Sequence, residues 1–232
     1  MNAWLSLFKK DFRIIAPWLL TGLLIILSID LIALLMVADL ETKMILSAVS
    51  IFFHILYFPV FLIGSLEREG KQMHLWLHSP RPAWQLLLSK VLNALTAKIL
   101  SLGFSLVVPA WLIWKYPILM QELTKADMDS LVDAAVSIFA ASLNLGFLFL
   151  LLWTIQQSLK RWIGKWSGVI FVVVILLYNP LMGLKTHVGS DEAYVEFKVN
   201  ELGPWAGEGL SFTLMFLFFL LSAWLLDKKT EV

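Results

Sequence analysis

The sequence predicts an all-α, polytopic membrane protein with six transmembrane helices. Three observations carry that expectation. First, 59% of the 232 residues are hydrophobic and only 15% are charged, whereas a soluble domain carries about 25% charged residues. Second, the apolar residues fall in long runs. A spanning helix needs roughly 20 mostly apolar residues, because lipid offers the backbone no hydrogen-bond partner. Third, the basic residues segregate to alternate connecting segments, as the inside-positive bias requires.

The first thirteen residues form an amphipathic lead-in. Trp4, Leu5, Leu7, Phe8 and Phe12 alternate with Asn2, Ser6, Lys9, Lys10, Asp11 and Arg13. Helical spacing gives this stretch one aromatic and one basic face, which suits a helix lying in the membrane interface. Pro17 offers a turn into the first span. Six runs then qualify as spans: 14–38, interrupted by Asp30; 44–66; 91–114, containing Lys98; 134–159; 166–184, with Asn179-Pro180 near its end; and 209–226. The stretch 186–207 reads as an outer loop. The first run is too long for the apolar core of a signal peptide, and it is read as retained.

Charge sets the expected orientation. With the N-terminus inside, twelve of the 18 Lys and Arg fall on inner segments. Five (Lys43, Lys115, Lys125, Lys185 and Lys198) fall outside, and Lys98 lies within a span. Both termini are therefore expected in the cytoplasm of a multi-pass cell-membrane protein, bacterial in type. The length suits one membrane domain, 1–232. A net charge of +1 implies no nucleic-acid partner. The absence of cysteine removes disulfides, cysteine-ligated metals and cysteine nucleophiles.

No enzyme motif stands out. The chain lacks H-E-x-x-H, G-x-S-x-G and the P-loop pattern, so no ATP site of that kind is expected on it. His74 and His78 are spaced for one helix face, but no adjacent carboxylate completes a metal site. His54, inside the second run, reads as a hydrogen-bonding group rather than a catalyst.

The segment between the second and third runs, 67–82, is the most informative. Met73, Trp76 and Leu77 fall at helical spacing beside Leu75, and Ser79-Pro80 stops that helix. An apolar, aromatic patch on a cytoplasmic loop suits a protein partner. The pattern Glu67-Arg68-x-Gly70, Leu75-Trp76-Leu77-x-Ser79-Pro80 and Leu87-Leu88-Ser89-Lys90 resembles the loop of ABC-2-type ABC transporter permeases. Leu7-Phe8-Lys9-Lys10-Asp11-Phe12-Arg13 resembles that family's opening helix. The resemblance implies that residues 1–13 form an interfacial elbow helix and that 67–82 holds a coupling helix. Glu67, Arg68, Gly70, Leu75, Trp76, Leu77, Ser79 and Pro80 would then dock a separate ATP-binding subunit. It further implies a second permease subunit, identical or not, and ATP with Mg on the partner rather than on this chain. The short outer loops depart from larger permeases that grip polysaccharide or lipid carriers.

Ionisable groups inside lipid usually face the bundle interior or a partner. Asp30 and Lys98 lie at matched depths and could pair; snorkelling of Lys98 and an outward-facing Asp30 are the alternatives. Lys90, Asn93, Ala97, Ser101 and Ser105 form a polar stripe on the third run, suited to close helix packing or to a substrate route. Asn144 and Gly146 in the fourth run carry the same packing reading. The function expected is a permease subunit exporting a peptide, antibiotic or lipid-like substrate. A stand-alone membrane immunity or binding protein is the alternative, and an intramembrane enzyme using His54, His74 or His78 is a third.

Overall fold

A computed structural model describes residues 3–37, 39–70, 81–116, 125–163 and 204–230. All regular elements among the described residues are helical. They are α1 (Ala3–Met36), α2 (Leu40–Phe52), a 3-10 turn (Phe53–Ile55), α3 (Tyr57–Gly70), α4 (Ala83–Ser105), α5 (Val107–Lys115), α6 (Lys125–Ile163) and α7 (Pro204–Thr230). Among the described residues four stretches are long and apolar enough to cross a membrane: Trp4–Met36, Ala83–Lys115, Ala135–Lys160 and Ser211–Lys228. The bent pair Thr42–Ile55 and Tyr57–Gly70 makes a fifth if it is one span. The expected run at 166–184, and most of the loop at 186–207, lie outside the described residues.

The chain divides into two units, Met1–Gly146 and Phe147–Val232. In the first, α4 packs against both α1 and α3, and α1 also packs against α2. The inward stripe of α1 is Asp11, Ile15, Leu19, Ile26, Asp30 and Ala33, a helical repeat. Its other faces leave Leu20, Leu24, Leu35 and Met36 exposed, the pattern of a helix solvated by lipid. In the second unit, the rings of Phe147 and Phe219 meet edge to face at 6.4 Å. Paired Trp and basic side chains mark helix ends: Trp111 under Lys115 and Trp224 under Lys228, each at 4.8 Å. Such pairs suit the membrane–water boundary.

Three prolines behave in two ways. Pro59 and Pro109 each lack the N–H that would bond to the carbonyl four residues back. Those positions are Ile55 and Ser105, where the 3-10 turn and α4 end. Helical bonding resumes with Val60 to Leu56 at 3.0 Å and Ala110 to Leu106 at 3.1 Å. The expected second span is thereby split, with a bend of 41°, and the third is interrupted at Leu106. Pro17 does not break its helix. Instead of a turn after a separate lead-in helix, residues 3–36 run on as α1 with Pro17 inside it. The Arg68 guanidinium donates to the Ile14 carbonyl at 3.3 Å, and the Thr21 hydroxyl donates to the Pro17 carbonyl at 2.9 Å. Both bonds add a side-chain donor to a backbone carbonyl near the proline.

Asp39 caps α2: its Oδ2 accepts from the Thr42 backbone N–H and hydroxyl, both at 2.8 Å. Gly146 permits a close approach, since a Cβ there would collide with the ring of Phe58. Phe58 is fully buried and has nowhere to turn. Gly146→Ala is expected to destabilise the protein by about 1–3 kcal/mol. Gly103→Ala, where a Cβ meets nothing within 4 Å, should be neutral or slightly stabilising. Thermal unfolding of the two variants in detergent checks the contrast.

Candidate functional site

The charged residues of three helix ends converge in one buried cluster. α1 contributes Lys10 and Asp11, α3 contributes Ser65 and Glu69, and α4 contributes Ser89, Lys90 and Asn93. Ser65 and Glu69 share a face of α3 because they are four residues apart, as do Ser89 and Asn93 on α4. Lys90 is fully buried. Its Nζ lies 2.9 Å from Glu69 Oε2, 3.2 Å from Ser65 Oγ and 3.5 Å from Asp11 Oδ1. An ammonium has three N–H donors, and three oxygens surround this one. Lys90 donates to Ser65 Oγ and, at long range, to Asp11 Oδ1, while its approach to Glu69 Oε2 is an ion pair without hydrogen-bond geometry.

The carboxylates are satisfied from more than one side. Ser89 donates to Asp11 Oδ2 at 2.6 Å, and Lys10 donates to Glu69 Oε1 at 2.9 Å. Asn93 Nδ2 donates to the Phe8 carbonyl of α1 at 3.2 Å and to the Ser89 carbonyl at 2.8 Å. The four ionisable groups sum to zero charge. That balance, with the surrounding hydroxyls, is what lets ions persist away from water.

A second polar region lies further along α4. His54, in the 3-10 turn, holds Ser50 O with Nδ1 at 2.9 Å and Ser101 Oγ with Nε2 at 3.0 Å. Its ring stacks on Tyr57 at 5.2 Å, and Tyr57 stacks on Phe61 at 4.6 Å. The Ser142 hydroxyl donates to the His54 carbonyl at 3.4 Å. Among the described residues no group of three or more His, Asp or Glu could hold a metal.

The anticipated site residues separate into three sets. Lys90, Asn93, Ser101 and Ser105 are all buried. Lys90 and Asn93 belong to the charged cluster, Ser101 meets His54, and Ser105 bonds back to Leu102 O at 2.9 Å. Lys90, Asn93 and Ser101 thus meet groups of other elements, while the Ser105 bond stays within α4. Asp30 and Lys98 are both buried, but no ion pair within 4.0 Å joins them. Lys98 Nζ instead donates to Phe139 O at 3.3 Å and sits 4.2 Å from the Phe139 ring centroid. Of the anticipated docking residues, Glu67 is exposed near the end of α3, and Gly70 is the last residue of that helix. Arg68 turns back onto α1, over Trp18 at 5.9 Å. Leu75, Trp76, Leu77, Ser79 and Pro80 lie outside the described residues, as do His74 and His78. Asn144 bonds within α6, to Ala140 O at 3.1 Å.

Sequence reading passed over Glu69 and Asp11. Glu69 occupied the unassigned position of Glu67-Arg68-x-Gly70. Asp11 was read as part of a surface helix. Register was the available signal: Asp11, Ile15 and Leu19 share one face, and so do Leu62, Ser65, Leu66 and Glu69. Lys90→Met leaves two buried carboxylates facing one lysine and is expected to cost about 3–5 kcal/mol. Adding Asp11→Asn restores the charge balance and should recover part of that loss. Lys10→Ala, whose side chain is 59% exposed, should cost less than about 1 kcal/mol. Thermal unfolding of the single and double variants reads all three; no recovery in the double variant would show the charges to be uncoupled.

No family model matches the chain, and no solved structure matches it. The chain is similar over its whole length to "Uncharacterized protein YhcE" of Bacillus subtilis (strain 168). The two are 25% identical over 259 aligned positions, which cover 100% of both chains.

Proposed function

We propose that this chain is the membrane-spanning subunit of an ATP-driven ABC transporter of the ABC-2 type, with six spans and both termini in the cytoplasm. On this reading it works as an exporter of a peptide, antibiotic or lipid-like substrate. A separate subunit binds and hydrolyses ATP with Mg, and a second permease subunit completes the transporter.

One observation carries the reading. The two sequence segments that resemble the family meet in the buried charge cluster. Lys10 and Asp11 come from the opening pattern, Glu69 from the start of the loop pattern, and Ser89 and Lys90 from its end. The segment 67–82, read as holding the coupling helix, thus contains Glu69 and is followed by Ser89 and Lys90, all of them tied to α1. A push on that segment would be delivered to α1, α3 and α4 together. Such a linkage suits a subunit driven from outside itself; a stand-alone binding protein has no need of it.

The test is co-purification. The chain is tagged in its native host, and the recovered membrane complex is searched for a P-loop ATPase. Wild type should retain that partner, while Trp76→Ala and Leu77→Glu should lose it with the chain still folded in the membrane. Retention by both variants would remove the coupling-helix assignment. Recovery of the chain without any ATPase would favour the stand-alone immunity or binding protein.

A further inference from the structure

On the lipid-facing side of α1 and α3 lies a crevice that no packing contact fills. Its walls include Ile14, Trp18, Val60, Phe61 and Gly64, and Arg68 stands at its edge. The crevice is a shallow groove open to the surface, with only about 10 Å³ enclosed at its floor. Trp18 is 53% exposed and Val60 52%, so the opening is continuous with the exposed apolar surface of α1. Gly64 leaves the floor open: a Cβ added there would meet nothing within 4 Å.

Arg68 is held in place without being saturated. One guanidinium N–H reaches the Ile14 carbonyl, and the plane lies over Trp18. A guanidinium carries five N–H donors in a planar fork that matches a phosphate. Among the described residues, its remaining donors have no protein partner. Lys9 and Arg13, also exposed, stand on the same end of α1. Basic groups at this level attract anionic lipid headgroups.

We propose that this crevice is a binding site for one anionic phospholipid. An acyl chain lies along Val60, Phe61 and Gly64, and the phosphodiester is held by Arg68 with Trp18 beneath it. Charge complementarity selects the headgroup, and the open glycine floor admits the chain. The site needs only that α1 and α3 lie in a membrane, so it goes beyond the transporter reading and does not depend on it.

Native mass spectrometry of the full chain, from micelles containing equal phosphatidylglycerol and phosphatidylcholine, tests the proposal. Wild type should retain one phosphatidylglycerol in preference to phosphatidylcholine. Arg68→Gln should weaken that retention about fivefold or more and erase the preference. Gly64→Leu, which fills open space, should lose both lipids while unfolding at the wild-type temperature when lipid is absent. Free glycerol phosphate should neither bind nor compete, because it lacks the chain that lies along the groove. Three outcomes would each overturn the proposal: equal retention of the two lipids by wild type, unchanged retention in both variants, or competition by glycerol phosphate. A dimer that Gly64→Leu dissolves would assign the crevice to a second copy instead, and would overturn it too.

Discussion

Lys90 is a fully buried ammonium, and the arrangement of the first unit depends on its being neutralised. An isolated charge of this kind would be costly to remove from water. Here Glu69 and Asp11 supply the opposite charge, Ser65 supplies a third acceptor, and Lys10 balances the second carboxylate. These partners come from α1, α3 and α4, so the helices must be in register for the cluster to close. A displacement of any one by a single residue would leave a carboxylate or an ammonium without a partner. The cluster thereby specifies an arrangement that apolar contacts alone, indifferent to small slides in lipid, would leave loose.

The prolines determine where the helices stay straight. Pro59 and Pro109 each leave the carbonyl four residues earlier without its usual donor, and at both places the helix ends and restarts. Pro17 sits in a helix that continues, with Arg68 and Thr21 bonding to carbonyls around it. Arg68 therefore joins α3 to α1 at the level of the proline, and the charge cluster joins them again nearer the N-terminus. The two links make α1 and α3 a braced pair at one end. The other end of the second apolar run is set off by the bend at Leu56. His54 stabilises that bend, since its two ring nitrogens engage α2 and α4 at once.

The all-helical membrane character was legible in the sequence, because long uncharged runs admit few other interpretations. The cluster was legible only in part. Lys90 and Asn93 announced themselves as a polar stripe on an apolar helix. Glu69 did not, because it stands among Glu67, Arg68 and Gly70 in a segment that reads as polar loop. Asp11 was hidden for a similar reason: its neighbours Lys9, Lys10 and Arg13 make the stretch look like a surface helix. Amphipathicity says that one face is polar, but not whether water or another helix meets it. The breaks were harder still. Pro17, Pro59 and Pro109 look alike in sequence, yet a helix runs on through Pro17 and restarts two residues before Pro59 and Pro109.

The neutrality of the cluster has an electrical consequence. A single elementary charge carried across a membrane does work of about 2.3 kcal/mol per 100 mV. Lys10, Asp11, Glu69 and Lys90 are tied to one another by contacts of 2.9–3.5 Å or by direct chain adjacency, so they occupy nearly one depth. Shifting them together moves no net charge through the field. The brace between α1, α3 and α4 can therefore move as a body without drawing on the membrane potential or opposing it. Lys98, for which no ion pair within 4.0 Å occurs among the described residues, would register the voltage by itself.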